Sequence, residues 1–251
     1  NFVEQLKKRD IISSEVFYFK FDDNEGGELI LGEYPHEFDE NYDSKYLIQS
    51  SSLEMGTSYN WFLHFSYLFI GDTKIDMRKL SSELTPEKGM IVMNMQMEKV
   101  IYDMYFKDLI AQKKCVRLKL KFYINYVCQD NIDINTFPNI TFRHFGMEYD
   151  FVFEPKDLFY HYYDRYFFLV SFRDSFYIHI GKPFFKKYNM IFNQDSKQLA
   201  IYSFYQENKT KNSSLVLPTI LIIIFSILVL VFVFFLFRYK LKKKKINEIE
   251  E

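Results

Sequence analysis

The stretch IHIGKPFFKKYNMIFNQDSKQLAIYSF, residues 178–204, closes the part of the chain that has the sequence pattern of a folded domain. Throughout residues 1–204, apolar side chains recur mostly with a period of two, which is the period of a half-buried β-strand. Neither an internal repeat nor a long flexible linker divides this region. We therefore predict one mostly β domain with a few short helices.

The segments that precede this stretch predict two elements near the start of the chain. FVEQLKKRD, residues 2–10, predicts a short helix with Phe2 and Leu6 on one face. EVFYFKF and ELILG predict two strands that form a hairpin around the turn DDNEGG. The start of the domain is thus predicted to be a helix followed by a hairpin.

The middle of the domain predicts further strands and one longer helix. YNWFLHFSYLFIGD predicts one long strand whose inner face carries Trp61, Leu63, Phe65, Tyr67 and Phe69. EKVIYDMYFKDLI predicts a helix whose apolar stripe consists of Val100, Ile101, Met104, Tyr105 and Leu109. CVRLKLKFYINYVC, NITFRHF and EYDFVFEP predict strands again.

The C-terminal residues predict a membrane anchor. LVLPTILIIIFSILVLVFVFFLF, residues 215–237, runs for 23 residues without a charge, and a helix of that length spans roughly 30 Å of hydrocarbon. Pro218 falls in its first turn, where a missing N–H costs little. A buried core helix is a poorer interpretation, because such helices are rarely apolar all round for so long. We predict one transmembrane helix.

The charges after that segment predict its orientation. RYKLKKKK opens the basic tail, residues 238–251, and basic residues stay on the cytosolic side. A single-pass type I membrane protein is predicted, with residues 1–204 and a polar stalk, residues 205–214, outside the cell or in an endolysosomal or vacuolar lumen. The tail holds six of the 32 bases and three of the 33 acids, so the remainder carries about −4. That charge argues against nucleic-acid binding.

Other features agree with a lumenal or extracellular domain. Asn139, Asn208 and Asn212 begin Asn-X-Ser/Thr sequons, which predicts a glycoprotein. Cys115 and Cys128 can form one disulfide between neighbouring strands, the alternative being two free buried thiols. The chain begins with Asn rather than Met, so we expect a fragment or mature form whose secretion signal lies upstream or has been removed.

Four segments together resemble the C-terminal lobe of pepsin-like aspartic proteases. The first segment is IISSEVFYFKFDDNEGGELILG, which lies within residues 1–32 and is similar to the family's inter-lobe region. The other three are YNWFLHFSYLFIGD, FPNITFRHFGMEYDFVFEPKDLFY and the closing stretch 178–204. The closing stretch matches the family pattern at Gly181, Phe184, Lys186, Tyr188, Ile191 and Phe192. It departs from that pattern at Lys182 and Asn193, where the family usually has aspartates.

The resemblance implies an all-β fold and a defined chemistry. In this family each of two lobes donates one Asp-Thr/Ser-Gly triplet to a shared cleft. Two carboxylates about 3 Å apart then share a proton and activate a water for attack on a peptide bond. The family is one of aspartic endopeptidases, and it needs neither a metal nor a cofactor.

The triplet position does not carry that chemistry in this chain. In GMIVMNMQMEKV, residues 89–100, the apolar strand is followed by Met93, Asn94 and Met95 where the resemblance expects Asp-Thr/Ser-Gly. A thioether cannot exchange a proton, and the resemblance begins only at the end of the first lobe, so we expect this chain to supply one lobe without the first catalytic aspartate. We therefore predict no catalytic residue and no peptidase activity for this chain alone.

Other candidate residues are weaker. Asp72-Thr73 invites comparison with a catalytic triplet, but Lys74 replaces the glycine and the pattern is that of a turn. His36 and His64 are interpreted as structural or exposed residues rather than as metal ligands, and a solvated surface position is favoured for His161 in FYHYYDRYFF. We predict no metal site and no cofactor.

Three interpretations follow. In the first, the chain belongs to a membrane-anchored relative of aspartic proteases that has lost catalysis and keeps the cleft either as a binding surface for a peptide or protein ligand or only as part of a structural fold. Alternatively, its parent is an active peptidase that works through a first lobe. In the third interpretation, a non-enzymatic type I surface protein uses a β domain that only resembles the lobe. Upstream sequence with an intact Asp-Thr-Gly would favour the second.

Overall fold

The computed structural model describes residues 2–21, 26–50, 60–147 and 149–203. The helices are α1 (Phe2–Lys8), α2 (Met95–Ile101), α3 (Lys107–Ala111), α4 (Pro155–Leu158) and α5 (Lys182–Lys187). The strands are β1 (Val16–Phe21), β2 (Gly27–Leu31), β3 (Leu47–Gln49), β4 (Phe62–Leu63), β5 (Phe65–Ile70), β6 (Thr73–Asp76), β7 (Ser81–Leu84), β8 (Ile91–Asn94), β9 (Cys115–Leu120), β10 (Tyr123–Gln129), β11 (Ile140–His144), β12 (Asp150–Phe153), β13 (Phe159–Tyr162), β14 (Arg165–Phe168), β15 (Val170–Arg173), β16 (Tyr177–Ile180), β17 (Ile191–Asn193) and β18 (Gln198–Tyr202).

These strands form three sheets in the described part of the chain. One sheet has the order β2-β1-β17-β18-β3, and a second has the order β12-β11-β5-β6. The third runs β13-β14-β10-β15-β8-β16-β7-β4, with β9 added to β10. The prediction of a mostly β domain with short helices is confirmed.

The N-terminal hairpin forms as predicted. β1 pairs antiparallel with β2, from Phe17 opposite Leu31 to Phe21 opposite Gly27. Phe17, Phe19 and Phe21 are partly buried and pack against the core, but Tyr18 is also buried, so the start of β1 is covered on both faces and the alternation holds only in part. The preceding helix is also present, but its buried residue is Val3, whereas Phe2 is largely exposed. The predicted apolar face of α1 was therefore wrong by one position.

The predicted long strand is interrupted. β4 pairs with β7 in the large sheet, whereas β5 pairs with β11 in another sheet. The pairing of β5 shifts register between Arg143 and His144, which lie opposite Tyr67 and Phe65. Ser66 is the extra residue of this bulge, so the burial alternates the other way after it. Leu68 and Ile70 therefore face the core in place of Tyr67 and Phe69.

The predicted helix after β8 contains a π-helical turn. α2 is followed by π-helical residues Tyr102–Phe106 and then by α3. The wider turn moves the apolar stripe, because a π-helix has more residues per turn than an α-helix. Phe106 is fully buried in consequence, whereas the predicted Met104 is 39% exposed.

Gly181, at the end of β16, packs against the chain just before β8. A Cβ atom at this position would lie 2.1 Å from the Met90 carbonyl oxygen and 2.5 Å from that of Lys88. The next residue, Lys182, donates its backbone N–H to the Lys88 carbonyl over 2.7 Å. Only glycine permits this approach, which places the end of β16 beside β8.

The predicted transmembrane segment, stalk and tail all lie outside the described residues. Among the helices of the described residues, none has both the length and the apolar character needed to cross a membrane.

Candidate functional site at the end of strand β8

Strand β8 lies between two neighbours in the large sheet. It pairs in parallel with β15, from Ile91 opposite Val170 to Asn94 opposite Arg173. On its other side, Val92 pairs antiparallel with His179 of β16. All four residues of β8 are buried, and the chain passes directly from Asn94 into α2 at Met95.

The side chains at the end of β8 are used inside the fold. Met93 is fully buried in the hydrophobic core. The Asn94 side-chain oxygen accepts the Gln96 backbone N–H over 2.8 Å and caps α2, while its amide donates to the Ser175 carbonyl. Met95 starts α2 and is the member of the predicted triplet that lines a cavity.

That cavity has a volume of about 470 Å³ and opens between the start of α2, just after β8, the β9–β10 hairpin and the end of β15. We call it the β8 cleft. Its lining is apolar and cationic, and consists of Met95, Arg117, Lys119, Lys121, Phe122, Tyr123, Ile124, Arg173 and Asp174.

A buried carboxylate holds one wall of the β8 cleft. Glu98 of α2 accepts a hydrogen bond from Arg117 over 2.8 Å and another from the Tyr126 hydroxyl. The bond to Glu98 raises the pKa of Arg117, and burial is the main cause that raises the pKa of Tyr126. The Glu98 side chain is 10% exposed, so α2 and the hairpin are joined by a largely desolvated contact.

Arg173 forms the opposite wall. Its guanidinium donates to the Tyr123 hydroxyl over 3.2 Å and lies over the Tyr123 ring, 6.0 Å from the centroid. It also lies 3.5 Å from the Ser175 hydroxyl. These contacts tie the end of β15 to β10.

Asp174 is a site residue that the sequence analysis missed. It follows β15, and the parallel register of β15 with β8 places it level with Met95 in the same cavity. Among the described residues that line the β8 cleft, it is the single carboxylate. The paired-carboxylate chemistry of an aspartic peptidase needs a second one. Asp174 could be identified as a site residue only from the pairing of β15 with β8, and the spacing of residues in the sequence did not reveal that pairing.

The disulfide prediction is confirmed. Cys115 and Cys128 are joined by an S–S bond of 2.00 Å, and they lie directly opposite each other on β9 and β10. The bridge closes the base of the hairpin, and a two-residue connection, Lys121 and Phe122, forms its tip.

The remaining predicted positions lie away from the β8 cleft. Asn139 is exposed just before β11, whereas Asn208 and Asn212 fall outside the described residues. Asp72 lies in the exposed turn between β5 and β6, so the turn interpretation is confirmed. Within the described ranges, no group of three or more potential ligand residues could hold a metal ion.

The three predicted histidines have ordinary surroundings. The His36 ring bonds to the Tyr202 hydroxyl over 2.5 Å, and His64 and His161 are exposed. The other two histidines, His144 and His179, are buried, and the Nδ1 of His179 lies 3.4 Å from a Glu83 carboxylate oxygen. Burial, aided by Lys88 and Arg173, lowers the pKa of His179 to about 4. Glu87 opposes this shift, since a nearby anion favours imidazolium.

The architecture matches a known fold. The crystal structure of basic 7S globulin from soybean superposes with a TM-score of 0.62 and 11% sequence identity. The match covers 80% of this chain and 53% of the globulin, so this chain spans about half of that protein's length. The described domain therefore has a pepsin-like fold.

Sequence comparison does not narrow the classification beyond the fold. No protein-family model matches the chain, and no curated protein matches it. At 11% identity the likeness to the globulin concerns the fold alone.

Proposed function

We propose that this chain is a membrane-anchored, pepsin-like lobe that serves as a binding domain rather than as a peptidase. The observation that carries the proposal is the use of the side chains at the end of β8. Met93 is fully buried, and Asn94 uses both its oxygen and its nitrogen within the fold. Neither residue can take part in proton transfer to a peptide bond.

The cleft itself favours ligand binding. It is a concave site that combines apolar surface with charged groups able to orient a ligand, as binding pockets do. Its ligand in this proposal is a segment of peptide or protein. Neither a cofactor nor a metal is part of the proposed function.

The membrane anchor belongs to the same proposal. Residues 215–237 would cross the bilayer once, with the lobe and the stalk extracellular or lumenal and residues 238–251 in the cytosol. The disulfide supports an oxidising compartment for the lobe. Glycans at the three sequons are part of the proposed topology.

A peptidase assay tests the loss of catalysis. We expect no pepstatin-sensitive cleavage of denatured protein between about pH 3 and 5, the range in which a shared-proton carboxylate pair works. The assay uses the full chain in neutral detergent, with an active aspartic peptidase as the positive control. Pepstatin-sensitive turnover would refute the proposal.

Asp174 favours a second candidate, an aspartic peptidase that is completed by a separate first lobe. It is a carboxylate in the right cavity, although it lies on β15 rather than on β8. The variant Asp174→Asn separates the candidates, because it would abolish any pepstatin-sensitive turnover that depends on this carboxylate. Under the first proposal, neither the chain nor the variant cleaves protein.

Topology is tested separately in cells that express the chain with a signal sequence. We expect resistance to carbonate extraction and a mobility shift on treatment with an N-glycosidase. An antibody to a C-terminal tag should bind only after permeabilisation. Release by carbonate, or tag detection on intact cells, would contradict the anchor or its orientation.

A further inference from the structure

We propose that the basic edge strand β9 binds an acidic, extended segment of a partner polypeptide. The segment would pair with the edge of β9 and place its acidic side chains over the β8 cleft. This inference rests on the proposed binding function and names the chemistry of the ligand.

The edge of β9 is available for strand pairing. Within the described residues, β9 pairs with β10 alone, so its other edge has no strand beside it. Every residue of β9 after Cys115 is exposed. An unpaired edge presents backbone N–H and C=O groups that an extended peptide can bond, as in recognition by strand addition.

The cations of the hairpin have the spacing that such a peptide requires. Arg117, Lys119 and Lys121 alternate along the chain and all line the β8 cleft. Alternate side chains on a strand are about 6.8 Å apart, for the bound peptide as well as for β9. Acidic residues at alternate positions of the peptide would therefore meet Arg117 and Lys119 in register, and Lys121 adds positive charge at the hairpin tip beyond the end of β9.

The positive charge is largely uncompensated. In the described part of the chain, neither Lys119 nor Lys121 forms an ion pair, whereas Arg117 is paired with Glu98. Arg173 adds a fourth cation from β15, and Asp174 is the lining carboxylate that opposes them. Because the chain outside its tail is acidic, this basic surface is a local feature that selects an anionic ligand.

Charged edge strands also have a simpler role, which is to prevent sheets from pairing with one another. That role does not account for Arg173, which lies on a different strand yet faces the same cavity. Nor does it account for Phe122, which is 81% exposed at the hairpin tip and also lines the cleft. Together they indicate a ligand with alternating acidic residues and one apolar side chain near its end.

Fluorescence anisotropy tests the proposal with the full chain in neutral detergent. The probe is a short labelled peptide that alternates Glu with Thr and ends in Phe, and the matched peptide carries Gln in place of Glu. We expect binding of the Glu peptide that weakens as salt is raised, and affinity for the Gln peptide lower by about tenfold or more. Equal affinity for the two peptides would overturn the proposal.

Protein variants locate the site. Lys119→Glu combined with Lys121→Glu should weaken binding of the Glu peptide by about tenfold or more. Lys20→Glu combined with Lys79→Glu makes the same change in net charge at exposed positions outside the cleft and should leave affinity unchanged. Circular dichroism tests whether both variants fold. If the Lys119→Glu, Lys121→Glu variant does not fold, the milder Lys119→Gln replaces it.

Two further experiments distinguish strand pairing from other modes of binding, and a peptide ligand from other ligands. N-methylation of alternate amides in the Glu peptide removes its donors to β9 and should abolish binding. Unchanged affinity would contradict pairing with the edge of β9. Binding of heparin but not of the Glu peptide would show that the surface recognises a sulfated polysaccharide and would overturn the peptide proposal.

Mass spectrometry of the probe separates this inference from the proposed function. Cleavage of the peptide in a pepstatin-sensitive manner would contradict the proposed loss of catalysis. An intact peptide that does not bind would overturn only the inference about β9.

Discussion

The aromatic cluster beneath α5 and the β9–β10 hairpin are both rich in apolar side chains, yet they end up in opposite environments. Phe151, Phe153 and Phe184 are fully buried, and the Phe184 ring centroid lies 4.9 Å from that of Phe151 and 5.5 Å from that of Phe153. On β9, by contrast, Leu118 and Leu120 are 38% and 55% exposed.

The two regions are also held together by different interactions. The cluster depends on packing, because its ring contacts come from β12 and α5, which lie about thirty residues apart in the sequence. The hairpin depends on one disulfide and on Glu98, which joins it to α2 through Arg117. Substitutions in the cluster should therefore lower stability, whereas substitutions of the exposed side chains on the hairpin should mainly alter what its surface binds.

The largest effect is expected at Gly181, beside the cluster. Gly181→Ala would force the backbone near Met90 and Lys88 to move, since both carbonyl oxygens lie within 2.5 Å of the new Cβ. We expect a loss of more than about 4 kcal/mol or failure to fold, measured by thermal denaturation. Gly89→Ala is the matched control, because a Cβ there has open space. Equal stability of the two variants would contradict the tight approach.

Phe184→Ala compares the cluster and the hairpin directly. Removing this buried ring should cost about 3–5 kcal/mol, because the surrounding rings can only partly fill the cavity. Phe122→Ala removes the same side chain from the hairpin tip, where it is 81% exposed, and should change the unfolding free energy by less than about 0.5 kcal/mol. Similar losses in urea denaturation would show that the hairpin tip is packed.

Removal of the disulfide tests how the hairpin is held. Cys115→Ala with Cys128→Ala opens a loop with a sequence separation of 13 and should destabilise the fold by about 3 kcal/mol. In hydrogen exchange, β9 and β10 should lose protection before β12 does. Uniform loss of protection across the domain would mean that the hairpin and the cluster unfold as one unit.

Glu98→Ala should have a smaller effect. It leaves the buried Tyr126 hydroxyl without its acceptor and Arg117 without its ion pair, which should cost about 2 kcal/mol. Glu28→Ala, at an exposed position on β2, is the control and should be close to neutral. If both variants retain wild-type stability, Glu98 does not secure the hairpin.

The smallest effect concerns pH and His179, which lies on β16 next to β8. Its pKa of about 4 in the folded state lies below the unfolded value of about 6.5, so the unfolded chain binds more protons between these values. Stability is therefore fully present above about pH 6.5 and declines by about 1–2 kcal/mol as pH falls towards 4.

His179→Gln should remove that part of the pH dependence, whereas the exposed His161→Gln should not. Urea denaturation at pH 7 and pH 5 provides the comparison. A wild-type chain with the same pH dependence as His179→Gln would show that the histidine does not titrate in this way.

Much of the fold could be predicted because strand periodicity depends on residues that are close together in the sequence. The β1–β2 hairpin and the pairing of Cys115 with Cys128 both followed from neighbouring residues. The bulge at Ser66 could not be predicted, because it depends on how β5 pairs with a strand more than seventy residues later. The π-helical turn, which exposes Met104, also depends on packing across the core.

Of the candidate site, only the residues at the end of β8 and the start of α2 could be predicted from the sequence. Met93, Asn94 and Met95 lie at the end of β8, as their position after an apolar run predicts. Arg173 and Asp174 could not be assigned to the cleft, since only the parallel pairing of β15 with β8 brings them there. Whether the triplet position is without catalytic activity stays a prediction for the assay above.

The dual role of Asn94 has a consequence for engineering. Asn94→Asp would replace the amide that donates to the Ser175 carbonyl with a carboxylate facing that oxygen. Met93→Asp would instead leave an acid wholly enclosed by apolar side chains, where ionisation is unfavourable. No single replacement at either residue gives a well-solvated acid, so installing a working proton donor on this strand would require the loop at Ser175 to be redesigned at the same time.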